Sequence, residues 1–275
     1  MNFKDFLKEK RALEQKIIFD GAMGTTLMKL ARTSEKPPRI SLTQPNLVAQ
    51  IHKAYANAGA DVISANTFGV VPIDYSDYEQ IISASIALAK SAGRFTALDI
   101  GSWGRMLEPY DDFTHEECEE NFKKAAETGL KAGADLIIIE TMISLDEAIC
   151  AIKAAKNTGL PVVASMSLEE NGKTFMGDDI PKIVKAFEDL EVDIMGINCG
   201  YGPEPYQKLF EEMRSVTKKP ILVMPNAGLP EIIDGEPVYN MNPEQFAAAM
   251  KKIDKADAYG GCCGTTPEHI ARLRE

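Results

Sequence analysis

Short apolar runs rich in β-branched residues recur along this chain at fairly even spacing. They are "KIIFDGAMG", "DVISANTFG", "RFTALDIGS", "DLIIIETM", "PVVASMSL", "DIMGINCG", "PILVMPNAG" and "DAYGGCCG". Each is short and bounded by Gly, Pro or Asp, the pattern of a strand buried on both faces. Between them lie amphipathic stretches of helical period, among them "NLVAQIHKAYANAG", "HEECEENFKKAAETGLKAG" and "SLDEAICAIKAAKNTG". Several end at Gly, as helix C-caps do. Strands and helices alternating eight times give the count of an α/β fold of the single (β/α)8 TIM-barrel type. A doubly wound sheet is the alternative; the barrel is preferred because eight units are present and none is left over.

No inter-domain linker interrupts this pattern, so residues 1–275 read as one barrel domain. The polar stretches "ARTSEKPPRISLTQP" and "EIIDGEPVYNMNPEQ" read as long loops on the barrel's top face, where loops shape a site rather than join domains. The net charge of −11 argues against a nucleic-acid backbone or an anionic membrane surface as partner. No apolar run is long enough to span a membrane. The N-terminal "MNFKDFLKEK" is charged and amphipathic and lacks a signal-peptide core. Five cysteines, an odd number without a secretory signal, point to the reducing cytoplasm.

In a barrel, functional side chains project from the C-terminal ends of the strands. Those ends carry Asp20, Asn66, Asp99, Glu140, Cys199, Asn226, Cys262 and Cys263. Cys199 ends the sixth strand, and Cys262 and Cys263 end the eighth. These strands flank the seventh, so three thiols can meet above it. Three thiolates suit a tetrahedral Zn2+ with one open position, a catalytic rather than a structural arrangement. Two other readings of adjacent cysteines are a vicinal disulfide and apolar filler. The first is strained, because neighbouring Cα atoms lie about 3.8 Å apart, below the usual disulfide range. The second fits poorly with a glycine-rich loop. Cys118 and Cys150 fall in helical stretches and read as core, and His52, His115 and His269 read as structural.

A site of three thiolates and zinc deprotonates an incoming thiol and keeps it nucleophilic. Asp20 and Glu140 are carboxylates suited to a substrate ammonium. The "GAMGTT" turn after Asp20 offers backbone N–H groups for a carboxylate. Ammonium, carboxylate and thiol together describe an amino-acid thiol.

From about residue 16 onward, "FDGAMGTTL", "LTQPNLVAQIHKAYANAGADVISANTFG", "IETM", "GINCG", "MPNAG" and "GGCCGTTPEHI" resemble the homocysteine S-methyltransferase family. "MPNAG" looks closest to the branch containing the homocysteine-binding barrel of cobalamin-dependent methionine synthase. The resemblance implies zinc on Cys199, Cys262 and Cys263. It places Asp20 and Glu140 at the homocysteine amino group, and the Gly21–Ala22 backbone near its carboxylate. Asn66 joins the substrate-binding set, and Asn226 matches a residue that can fill the open zinc position without substrate.

The sequence departs from the family after strand three, where "GSWGR" replaces a small-residue loop, and at Ala65, where threonine is common. Trp103, the single tryptophan, is the expected contact for a methyl donor, with a loop anchor packed on the barrel rim as its other reading. The chain shows neither a folate barrel nor an Asp-x-His-x-x-Gly corrinoid motif. The expected donor is therefore a cobalamin (corrinoid) carried by a partner protein. S-methylmethionine, S-adenosylmethionine or betaine is the alternative, and a non-catalytic zinc- or thiol-binding protein is the rival in another class.

Overall fold

The computed structural model describes residues 1–233 and 235–274. Strands β1 (Ile17–Ile18), β2 (Val62–Ser64), β3 (Phe95–Gly101), β4 (Leu136–Met142), β5 (Val162–Met166), β6 (Ile194–Asn198), β7 (Ile221–Met224) and β10 (Ala258–Tyr259) form one parallel eight-stranded sheet. Its order is β1-β10-β7-β6-β5-β4-β3-β2. A bridge from Phe19 to Val62 joins the two ends, and the Asp20 N–H donates to the Val62 carbonyl at 3.1 Å. The sheet is thus the wall of a (β/α)8 barrel, as the eight apolar runs predict.

Strands buried on both faces need apolar residues at every position. The barrel strands supply them except where the upper ends carry polar groups: β5, β6 and β7 are buried throughout, Ser165 and Asn198 included. Inward residues Phe19, Val62, Ala97, Ile138, Ile194 and Leu222 fill the lower interior. Below them the N-terminal helix, Phe3–Ala12, plugs the barrel. Its start is capped by the Asn2 side chain, and it buries Phe3 and Leu7. The Phe3 ring meets Phe95 edge-on at 5.5 Å. Cys118 and Cys150 are buried in the helical layer, as expected of core residues.

The long stretch after β1 contains a 3-10 turn, Pro37–Arg39, and a short helix, Ile40–Thr43, so it is more ordered than the open loop the sequence suggests. The stretch after β7 folds into an antiparallel hairpin, β8 (Pro230–Ile233) and β9 (Glu236–Tyr239), where the sequence reading expects a loop. Asp234, inside that stretch, and Glu275 lie outside the described residues. The missed signal is Asp-Gly between β-formers, a hairpin turn pair; Gly235 takes φ +84°.

Candidate metal centre and substrate cavity

A cavity of about 490 Å³ opens at the C-terminal mouth of the barrel. Asp20, Asp99, Glu140, Cys199, Cys262 and Cys263 share its lining.

The cysteine trio is held by backbone. Cys199 follows β6 in the left-handed region, φ +61°, and Gly200 continues the turn at φ +69°. The Cys199 N–H donates to the Met224 carbonyl at 3.1 Å, and its own carbonyl accepts from the Tyr201 N–H and the Tyr206 hydroxyl. On the other side, the Cys262 N–H donates to Pro225 and the Ala227 N–H donates to Cys263, each at 2.9 Å. Thr265 closes the turn, its hydroxyl donating to the Cys262 carbonyl at 2.7 Å. Gly264 combines φ +80° with the Tyr239 ring, which would lie 2.2 Å from any Cβ there. Only glycine satisfies both conditions.

The three sulfur atoms lie within 4.8 Å of one another. Hydrogen bonds from the Cys199 and Cys262 thiols pull Cys263 down to about 3, and contacts with Cys199 and Cys263 push Cys262 well above the ordinary thiol value. Three thiols this close together form a donor set for a metal ion. Asn226 adds a second sign: it is buried, and its Oδ1 meets no donor. The backbone on either side of it bonds to the Cys262–Cys263 loop. The donor set therefore fits a soft tetrahedral ion such as Zn2+. Asn198, not singled out from the sequence, braces this floor. It accepts from the Thr141 N–H and the Ser165 hydroxyl at 2.8 Å each, and its amide points to Cys262 Sγ at 4.0 Å. Its only sequence signal is its place beside Cys199 in "GINCG".

The acids face the trio. Asp20 accepts from the Ser64 N–H at 2.9 Å through one oxygen. Burial raises its pKa to about 7. Glu140 rises to about 8, through burial first and then the negative charges of Asp20 and Cys263. Asp99 is raised well above its usual value by burial first and then by the negative charges of Glu140 and Asp20.

The remaining expectations divide. Gly21 is required by contact, since a Cβ there would meet Thr265 Oγ1 at 2.7 Å and Tyr55 at 2.9 Å. The Ala22 N–H, expected to face a substrate carboxylate, donates instead to Thr265 Oγ1 at 3.1 Å. Asn66 lines the cavity, but its amide nitrogen donates to the Pro37 carbonyl at 2.7 Å and to Ser41 Oγ at 3.0 Å, bracing the long loop. Trp103 corrects the expectation of a donor contact. It is 6% exposed and packs against Phe113 and Phe122. Its backbone N–H is pinned at 2.7 Å by the buried Glu147 carboxylate, so it anchors the strand-three loop. His52 is buried in its helix, and His269 joins the Thr266 N–H to the Met241 carbonyl. His115 begins the helix His115–Ala132.

This is a barrel with a thiol-lined metal position and an acid-lined pocket at its mouth. Residues 17–275 match the homocysteine S-methyltransferase family, and the chain belongs to it. It is similar to the methionine synthase of Mycobacterium tuberculosis (strain ATCC 25618 / H37Rv), 29% identical over 95% of this chain and 24% of that protein. The methionine synthase of Mycobacterium leprae (strain TN) is 27% identical over 94% of this chain. The chain thus spans about a quarter of the length of these relatives, 24% in each case. In fold it resembles the homocysteine methyltransferase MmuM from Escherichia coli in its metallated form, with TM-score 0.82 and 22% identity, covering 96% of this chain and 98% of that one. Among the described residues, no helix is long and apolar enough to cross a membrane.

Proposed function

We propose that the protein is a zinc-dependent S-methyltransferase that methylates homocysteine to methionine. One observation carries this reading: the three converging thiols line the same cavity as Asp20 and Glu140. Cys199, Cys262 and Cys263 would hold Zn2+, and the unpaired Asn226 oxygen would serve it in the absence of substrate. Zinc bound there acts as a Lewis acid that keeps the acceptor sulfur a thiolate at neutral pH.

The chain's own groups do the orienting. Asp20 and Glu140 take the homocysteine ammonium. The incoming positive charge favours their ionised forms, which burial alone opposes. The substrate carboxylate lies toward the turn at Gly21, which lines the cavity together with Gly24 and Thr25. Because Thr265 occupies the Ala22 amide, Ala22 serves that turn as scaffold. Asn66 holds the loop wall of the pocket. Anchored this way, the acceptor sulfur is aimed at the cysteine side of the mouth. A methyl carbon arriving from outside is attacked in line: an S–C bond forms as the carbon–donor bond breaks, with its electron pair staying on the donor.

The donor we propose is a methylated corrinoid on a separate protein, supported by the "MPNAG", "GINCG" and "GGCCG" motifs and by a cavity that opens at the barrel mouth. Three free thiols suit a reducing compartment, here the cytoplasm. The test is methionine formation by zinc-loaded protein with a methylcorrinoid protein, free methylcobalamin, S-methylmethionine, S-adenosylmethionine and betaine. The reading expects turnover that stops on zinc removal and is fastest with the methylcorrinoid protein. Faster turnover with a small sulfonium or betaine overturns the donor assignment, and no methionine with any donor favours a non-catalytic thiol-binding protein.

A further inference from the structure

The metal position has a neighbour that the proposed reaction leaves unused, Tyr239 at the end of β9. The other strand of that hairpin, β8, is exposed throughout. Tyr239 is half-buried and packs on the cysteine loop. Its ring lies on Gly264, where any Cβ would meet Tyr239 Cγ at 2.2 Å and its Cβ at 2.4 Å. Its hydroxyl is a hydrogen-bond partner of Cys263, the residue before that glycine. The chain beyond Tyr239 is tied to the same loop. The Met241 N–H donates to the Ala227 carbonyl at 3.2 Å, and the Ala227 N–H donates to the Cys263 carbonyl at 2.9 Å. All three cysteines line the cavity, and Tyr239 does not. It therefore reaches Cys263 without taking up the space of an acceptor.

A donor at that place answers a problem of selectivity. The ligand sulfurs of a thiolate site are nucleophiles themselves. A methyl carbon brought to the mouth meets them as well as the substrate sulfur. A hydrogen bond to a thiolate draws charge from the sulfur, and bonds to ionised acceptors are the stronger ones. Each cysteine of the trio faces such a donor. The Gly200 amide serves Cys199, the Asn198 amide points to Cys262 Sγ at 4.0 Å, and the Tyr239 hydroxyl serves Cys263. The first belongs to the backbone, and the second also braces the floor through Thr141 and Ser165. Tyr239 offers a donor that can be removed while its packing stays. Building on the zinc reading, we propose that Tyr239 is a positioning residue: its hydroxyl donates to Cys263 Sγ and keeps that ligand from competing with the substrate sulfur for the methyl group. Without it the site carries more uncompensated charge and holds its metal less tightly.

The test compares full-length wild type with Tyr239→Phe, which keeps the ring on Gly264 and removes the hydroxyl. Both are held in excess zinc and treated with iodoacetamide in the absence of homocysteine. A cysteine sulfur then forms an S–C bond as the C–I bond breaks and iodide leaves, and peptide mass spectrometry reads each cysteine. Tyr239→Phe should raise alkylation of Cys263 by about 10-fold and leave Cys199 and Cys262 unchanged. In the cobalt-loaded forms, the sulfur-to-metal charge-transfer band of the variant should lie at longer wavelength. Zinc affinity, read by competition with a chelator, should fall by about 10-fold. Unchanged alkylation of Cys263 with metal bound overturns the proposal. So does an equal rise at all three cysteines, the mark of a merely loosened loop. If Tyr239→Phe holds no metal, 3-fluorotyrosine at position 239 decides, since it keeps the ring and the hydroxyl and is a stronger donor. It should slow alkylation of Cys263 and move the band to shorter wavelength, and no change in either rejects the proposal. None of these readouts uses homocysteine, so they stand apart from the acceptor reading. A wild type that binds neither zinc nor cobalt rejects the metal reading, and the role of Tyr239 with it.

Discussion

Ile138 and Glu140 stand two residues apart on the same face of β4, and they belong to different chemistries. Ile138 lies in the dry lower interior with Ala97, Ile194 and Leu222, above the plug made by Phe3. Glu140 opens into the cavity with Asp99 from β3, and the brace Asn198 ends β6 at its upper end, beyond Ile194 and Gly196. The lower layer completes its contacts within the protein. The upper layer does not: Asp99 and Asn226 each keep a buried oxygen without a donor, and Asp20 and Glu140 are pushed toward neutrality by burial. A single set of strands thus carries a part built for stability and a part built to be completed by ligands.

Losing a metal ligand should break the contrast most severely. Cys263→Ser is expected to lower zinc affinity by more than ~100-fold, because altering even the neighbours of a ligand costs about 10–100-fold. The fold should survive, since the lower layer is untouched; competition with a chelator and circular dichroism check the two halves of the statement. In the lower layer the reverse holds. Ile138→Ala should cost about 2–5 kcal/mol of stability, read by denaturant unfolding, while zinc stoichiometry stays at one per folded chain. Glu140→Gln should be milder, weakening homocysteine by about 1.5–3 kcal/mol in a calorimetric titration without loss of zinc.

The smallest effect concerns pH. Asp20 and Glu140 have raised pKa values, about 7 and about 8, so each holds its proton more tightly folded than unfolded. Below the unfolded values, near 4, that advantage is fully present. It is lost as pH rises through the folded values, so the zinc-free protein should become less stable between about pH 4 and pH 8. Asp20→Asn removes part of this. Its zinc-free form should melt a few °C above wild type at pH 8, where about 1 kcal/mol corresponds to roughly 2–4 °C, and show no gain at pH 5. A wild-type melting profile flat from pH 5 to 8 contradicts the reading of these acids as strained.

The sequence made the barrel and the metal position legible for one reason: both are written locally. Each strand is a contiguous apolar run, and "GINCG" and "GGCCG" put ligands directly at strand ends. What failed to show depends on distant partners. The Ala22 amide is claimed by Thr265, and Trp103 is turned inward by Glu147 and Phe122. Asn66 is drawn to Pro37 and Ser41. In each case the residue stands near the mouth as the sequence suggests, and the partner that fixes its role lies far along the chain. The unpaired oxygen of Asp99 is of the same kind, since only the assembled cavity shows that nothing in the protein answers it.

The central claim is that the mouth is completed by zinc on three cysteines and by the sulfur of an amino-acid thiol. X-ray absorption at the zinc edge tests it most directly. The zinc-loaded protein should show three sulfur neighbours and one lighter atom, changing to four sulfurs when homocysteine is added, and Glu140→Gln should require more homocysteine to reach the same spectrum. Fewer than three sulfur neighbours at the start, or a sulfur count that saturating homocysteine leaves unchanged, would contradict the account.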